Sequence, residues 1–261
     1  MTPVKQGLEG LRGPTRALFT DLDSTMTTAG HLRSDTVASS YRLRDAGVEI
    51  VLVTGRPAGW GHALANIFPF TAVITENGGV SFIAEGNGYK KIYGVPEANL
   101  SELRSRMRAA AHKALQMVPD ARMSSDSHYR EVDLAIDWNE EVKIPRSQAD
   151  RIVALLQTQG FAASRSSVHV NYGPKGVDKS TACLAVLKRV FAADASDLDD
   201  FVYLGDSLND APAFALFPKS VGVANVGDAW ALLPSKPAYI THGSEGAGFE
   251  ELVARLLELS A

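Results

Sequence analysis

Six short apolar runs alternate along the chain with amphipathic segments, and this alternation sets the fold class. The runs are "RALFTDLD" (16–23), "VEIVLVTG" (48–55), "TAVITENGG" (71–79), "DFVYLGDS" (200–207), "SVGVAN" (220–225) and "AYITH" (238–242). They are rich in β-branched residues and apolar on both faces, as strands of a sheet covered on two sides must be. Between them, segments 35–46, 57–68, 178–192, 208–217 and 246–260 carry helical patterns. In the last, Phe249, Leu252, Val253, Leu256 and Leu257 form one apolar stripe. Such alternation predicts an α/β protein with a Rossmann-like, doubly wound, mostly parallel sheet.

Between about 80 and 172 the texture changes. The Gly-rich "AEGNGYKKIYG" predicts a hairpin, and its "GNGYKK" lacks the Gly-Lys-Ser/Thr ending of a phosphate loop. A charged helix near 97–117, an alternating strand "REVDLAIDWN" (130–139), a helix at 145–159 and an alternating strand "SSVHVNY" (166–172) follow. The expectation is a smaller α+β domain at 83–172, inserted into a core made of 1–82 and 173–261.

In open α/β sheets ligands bind beyond the carboxyl ends of the strands. The residues there are Asp21, Asp23, Ser24 and Thr25, then Thr54, Gly55 and Arg56, then Glu76 and Asn77, then Asp206, Ser207, Asn209 and Asp210. Asp21, Asp23, Asp206 and Asp210 converge on one edge, and so many carboxylates call for a cation. Hard oxygen donors without Cys or His suit magnesium. Thr54 offers a hydroxyl, the Thr54–Gly55 turn offers amides near a helix start, and "GPKGVDKSTA" supplies Lys179. Lys175, in the same segment, reads as a solvated loop residue. A carboxylate, a cation, a hydroxyl and a lysine together suit phosphoryl transfer.

In chain order, "DLDST", "TGR", the Lys179 of "DKS" and "GDSLND" resemble the four motifs of the haloacid dehalogenase superfamily of phosphatases. "TENGG" is similar to the segment that leads into a C2-type (type IIB) cap in the sugar-phosphate branch. That branch holds enzymes for sucrose phosphate, mannosylphosphoglycerate and trehalose phosphate, together with phosphomannomutase. The resemblance implies that Asp21 is the nucleophile, that Asp23 protonates the leaving oxygen and then activates water, and that Thr54 and Lys179 hold the phosphoryl group. It also implies that Asp21, Asp206 and the carbonyl of Asp23 bind magnesium, with Asn209 and Asp210 in or just behind the coordination sphere. Ser24 departs from the glycine that many members carry after the second aspartate.

For the substrate, alternation puts Glu131, Asp133 and Asp137 on one face of their strand, and His169 and Asn171 on one face of theirs. Two readings of that face stand open: a surface for sugar hydroxyls, or the solvated side of the inserted sheet. Gly55, Arg56 and Asn77 complete the expected substrate set. Arg56, Arg130 and Arg165 are candidate contacts for a second anionic group, and Trp60 and Trp138 read as packing residues. The function expected is magnesium-dependent hydrolysis of a small phosphorylated sugar or sugar derivative. The alternatives are a sugar phosphomutase of the phosphomannomutase type and a non-catalytic sugar-phosphate-binding protein. Intact Asp21, Asp23, Lys179 and Asp206 argue against the last.

Composition narrows the partners. The 261 residues are 45% hydrophobic and 21% charged, as in an ordinary globular protein. A net charge of −4 gives no support for nucleic-acid binding. The single cysteine, Cys183, lies in an apolar stretch and reads as a buried thiol, with neither a disulfide nor a cysteine zinc site to join. The N-terminal segment lacks the apolar centre of a signal peptide, and no run reaches membrane-spanning length, so a cytoplasmic protein with no membrane partner is expected.

Overall fold

The computed structural model describes residues 6–166 and 168–260. In chain order the first elements are β1 (Ala17–Thr20), α1 (Ser34–Asp45), β2 (Glu49–Val53), α2 (Ala58–Ile67) and β3 (Ala72–Thr75). A hairpin follows, β4 (Val80–Glu85) and β5 (Gly88–Tyr93). Then come α3 (Leu100–Met117), β6 (Arg122–Met123), β7 (Leu134–Asp137), α4 (Arg146–Thr158), β8 (Ala162–Arg165) and β9 (His169–Gly173). The chain closes with α5 (Lys179–Val190), β10 (Phe201–Gly205), α6 (Ala211–Leu216), β11 (Lys219–Gly222), β12 (Tyr239–Ile240) and α7 (Glu245–Ser260).

The large sheet has the order β12-β11-β10-β1-β2-β3-β4-β5, parallel from β12 to β3 and antiparallel across the hairpin. It is the mostly parallel α/β sheet expected. Successive strand residues face opposite layers, as the pleat requires. Leu18, Ile50, Leu52, Val202 and Leu204 pack with Phe249 and Leu252 of α7 on one side. Phe19, Val51, Phe201 and Tyr203 pack with Cys183, Val186 and Phe214 on the other, so the buried-thiol reading of Cys183 agrees with its place.

The hairpin, expected within the inserted segment, instead extends the large sheet through β4. Val80 and Phe82 bury their side chains in the large core, and that burial decides the placement. The smaller sheet has the order β6-β7-β9-β8 and is wholly antiparallel. Leu134, Ile136, Val170 and Tyr172 pack against Met107, Ile152 and Leu156 of α3 and α4. Its other face carries Asp133, Asp137, His169 and Asn171, all buried. Among the described residues no helix is long and apolar enough to cross a membrane.

Candidate active site

Strand β1 lies between β10 and β2, where the sheet's winding reverses, and its carboxyl end opens on the crevice. Asp21 follows β1 directly, its N–H donating to Leu204 O at 2.9 Å. An Asp178–Thr181 capping box starts α5 and puts Lys179 at its first position, with its side chain fully buried. Lys179 Nζ donates to Asp21 Oδ1 at 2.7 Å and to Asp210 Oδ1 at 2.6 Å. Asp210 Oδ1 also accepts from the Tyr203 hydroxyl at 2.6 Å, and its Oδ2 accepts the N–H groups of Asp206 (3.0 Å) and Ser207 (2.9 Å). A Cβ at Gly205 would stand 2.5 Å from Asp210 Cγ, so only glycine lets this carboxylate fold under the strand tip.

Carboxylate oxygens of Asp21, Asp206 and Asp210 lie within 4.8 Å of one another. Thr25 Oγ1 bridges Asp21 Oδ2 and Asp206 Oδ1 at 3.4 Å each, and Asn225 Nδ2 donates to Asp206 Oδ2 at 3.2 Å. Burial pushes the Asp21 carboxyl up to about 7, with Lys179 opposing and Asp210 adding to the rise. Burial, then Asp21 and Asp210, push the Asp206 carboxyl well above the usual carboxylate range. Crowded, desolvated, oxygen-only donors of this kind fit a hard divalent cation.

Asp210 and Asn209, expected in or just behind the coordination sphere, each have protein partners. Both oxygens of Asp210 accept hydrogen bonds, from Lys179, Tyr203 and backbone amides, which fixes its place in the cluster. Asn209 lines the crevice with Asp21 and Asp206, accepting from Ser207 Oγ at 2.5 Å and donating to Asn77 Oδ1 at 3.0 Å.

Ser24 is left-handed, with φ 57°, which gives the departure from glycine a physical meaning. An L-residue pays roughly 1 kcal/mol for that conformation, and here its N–H donates to Thr27 Oγ1 while its carbonyl accepts from Asn225 Nδ2. Asp23, just before it, is held by Arg56: Nε lies 3.1 and 3.0 Å from the two carboxylate oxygens, and Nη2 lies 2.9 Å from Oδ1. Arg56 stacks 4.8 Å over the Trp60 ring. Trp60 is thus a half-exposed platform for Arg56 and no core packing residue. Thr54 is buried, and its hydroxyl oxygen accepts the Arg56 N–H at 3.1 Å.

Glu76 ties the two sheets together. Its carboxylate accepts N–H groups from Ala58 at the start of α2 (2.9 Å) and from Glu131 (2.8 Å), Val132 (2.6 Å) and Asp133 (2.9 Å). Glu76 and Asn77 are both left-handed, at φ 52° and 53°, strain that the four bonds offset. Glu131 itself points outward to Lys91 (2.9 Å) and Tyr93, away from the crevice, because its backbone is pinned by Glu76 and β7 begins only at Leu134. Asp133 does face inward, bound to Arg130 Nη1 at 2.7 Å and Asn77 Nδ2 at 3.3 Å. Burial lifts its carboxyl to about 7, with Arg130 opposing. Arg130 is fully buried and spent on Asp126, Asp133 and the Gly55 carbonyl. Arg165 pairs with Asp150 at 2.9 Å and stacks 5.1 Å from Trp138, in a cleft that also reaches Ser24 and Asp206. Of the three candidate arginines, Arg56 is the one bonded both to Asp23 and to Glu140 of the inserted segment.

His169 and Asn171 project from β9 into the crevice that holds Asp21, Asp23, Gly55 and Arg56. His169 Nε2 lies 2.8 Å from Glu140 Oε2, and burial holds the imidazole pKa below its ordinary value against the pull of Glu140. Asn171 Oδ1 is buried with no hydrogen-bond partner among the described residues. This crevice holds about 30 Å³, room for about two waters. Asn171 and Asn209 also line an adjoining chamber of about 180 Å³ that reaches Lys179 and Pro212.

Tyr203, Asn225 and Glu140 were absent from the expected set. Asn225 ends the fifth apolar run, so the strand-tip rule applied there finds it. Tyr203 sits inside a strand and Glu140 in a turn of the inserted segment, where no periodicity marks them.

Residues 18–103 match the model of the haloacid dehalogenase-like hydrolases. The chain is 29% identical over 245 residues to a phosphoglycolate phosphatase of Haloarcula marismortui, covering 92% of this chain and 96% of that one. It superposes on a Thermoplasma acidophilum structure with a TM-score of 0.74 at 19% identity, covering 94% and 99% of the two chains. The sucrose-phosphatase of Synechocystis, solved with sucrose and phosphate, gives a TM-score of 0.67 at 17% identity, covering 93% and 98%. Family match, fold and strand-tip chemistry agree: the chain resembles the haloacid dehalogenase-like hydrolases over residues 18–103 and is an enzyme of the phosphatase kind.

Proposed function

We propose that the chain hydrolyses a small phosphomonoester through an aspartyl-phosphate on Asp21, with magnesium, beneath a cap formed by the small sheet and its two helices. The observation that carries this reading is Lys179, fully buried and bonded at once to Asp21 and Asp210 beside Asp206. Asp21 attacks phosphorus and the ester P–O bond breaks, while Asp23 gives its proton to the leaving oxygen. Asp23 then takes a proton from water; the water oxygen bonds to phosphorus, and the acyl phosphate releases Asp21 and inorganic phosphate. Thr54 and Lys179 hold the phosphoryl oxygens throughout, and the small sheet limits water access. Magnesium, held by Asp21 and Asp206, would offset the charge of the carboxylates and the phosphoryl group.

Among substrates, phosphoglycolate comes first. The relatives aligned over most of the chain carry that name, and the tight crevice beside Asp21 suits a leaving group of a few atoms. A small sugar phosphate is the second reading, favoured by the unpartnered Asn171 Oδ1 beside the larger chamber. The test is phosphate release from phosphoglycolate, small sugar phosphates and an aryl phosphate, each with magnesium or EDTA. The expected result is magnesium-dependent release, fastest from phosphoglycolate. Release from sugars alone selects the second reading, and an isomerised sugar phosphate without free phosphate contradicts hydrolysis.

Cation binding should depend on pH in a definite direction. Asp21 and Asp206 have raised pKa values when folded, so protons compete with the cation, and its affinity falls as pH drops below about 7, by up to tenfold per unit for each proton displaced. The same raised values make the cation-free fold lose stability as pH climbs from the unfolded carboxylate range through about 7. Melting with magnesium or EDTA at pH 5.5 and 8 should show a larger magnesium increment at pH 8. Equal increments would contradict the site.

A further inference from the structure

We propose that Glu140 is a positioning residue that acts through Arg56 on Asp23, so that the acid/base carboxylate is set only when the small sheet is seated. The proposal rests on the Asp21–Asp23 reading given above. One edge of the Arg56 guanidinium, Nε and Nη2, grips Asp23 at 2.9–3.1 Å. The other edge faces Glu140 Oε1, at 3.4 Å from Nη1 and 3.5 Å from Nη2. The guanidinium is planar, so fixing one edge fixes the direction of the other.

The backbone that carries Glu140 is itself held. Asp137 accepts the N–H groups of Asn139 (3.0 Å), Glu140 (2.8 Å), Glu141 (2.8 Å) and Val142 (3.3 Å), which locks the turn after β7. The second carboxylate oxygen of Glu140 lies against His169 of β9 at 2.8 Å. The turn therefore delivers a carboxylate from the small sheet at a fixed place. On the large-sheet side the Trp60 ring supports the flat face of Arg56. Arg56 has its side chain 16% exposed and Glu140 35%, so a simple surface ion pair would contribute little stability. Its value lies in direction, since a small misplacement of a reacting group costs far more in rate than in stability.

This chain of contacts makes a prediction that neither a substrate contact nor a purely structural residue shares. Glu140→Ala should lower kcat about tenfold, with KM changed less than about twofold and Tm nearly unchanged. Glu140→Gln, which keeps the shape and a carbonyl acceptor, should recover part of the loss. In an Arg56→Ala background the Glu140→Ala loss should vanish, because the link it acts through is gone. The experiment is this double-mutant cycle on phosphate release, with Asp23→Asn measured in parallel. Additive losses, a shift confined to KM, or an unchanged kcat in Glu140→Ala would overturn the proposal while a dead Asp23→Asn leaves the acid/base reading standing. An active Asp23→Asn would overturn that reading, and the proposal with it.

Discussion

Asp21→Asn should release phosphate at less than about a thousandth of the wild-type rate while remaining folded. An amide is no nucleophile toward phosphorus, and losing the covalent step costs several orders of magnitude. Stability should hold, because burial already disfavours the charge at this position and pushes the carboxyl up to about 7. The amide oxygen still accepts from Lys179, whose Nζ lies 2.7 Å from Asp21 Oδ1. Phosphate release and thermal melting, run on one preparation, check both halves. Activity within tenfold of wild type would place the nucleophile elsewhere, whereas an unfolded variant would make Asp21 a structural residue first.

Lys179→Met has the largest expected effect on stability. Among the described residues, Lys179 is the only cation in direct contact with the two carboxylates Asp21 and Asp210, and it is buried with both. Its own charge survives burial because Asp21 and Asp210 hold its pKa above the ordinary lysine range. Removing one member of a buried ion network typically costs about 3–5 kcal/mol, since the partners are left charged and unpaired. For a chain of this size that corresponds to a Tm drop of about 8–15 °C at neutral pH. The drop should shrink at pH 5.5, where the raised carboxyls take up protons and no longer repel. Melting curves at both pH values test this, and a Tm within about 2 °C of wild type at neutral pH would contradict the network.

The fold was legible because burial on both faces leaves a strong pattern. Leu18, Val51 and Val202 belong to runs with no polar alternation, and these became the central strands. Asp21, Asp23, Asp206 and Asp210 were legible for a related reason: each interrupts an apolar run at its carboxyl end, where a sheet of this type exposes its crevice. What stayed hidden depended on tertiary direction. Glu131 alternates correctly with Asp133, yet Glu76 captures its backbone before β7 begins and the side chain leaves the crevice. The hairpin at 80–93 carries turn signals that say nothing of which sheet it joins. Asn209 lines the crevice as its position suggests, but its bonds to Ser207 and Asn77 follow from the turn that lets Asp210 reach its amides, which no sequence pattern marks. The small-sheet face read as either solvated or substrate-directed; His169 and Asn171 lie on its buried side, and only the packing of the two sheets shows this.

The most direct test of the account is to trap the covalent intermediate. Wild-type protein, mixed with magnesium and a phosphomonoester carrying labelled phosphorus, would be quenched in acid within one turnover and digested. The account predicts acid-stable, hydroxylamine-sensitive label on the peptide containing Asp21, and none in Asp21→Asn. Rapid release of labelled phosphate with no label on that peptide at any quench time would contradict it, and would assign the attack on phosphorus to water.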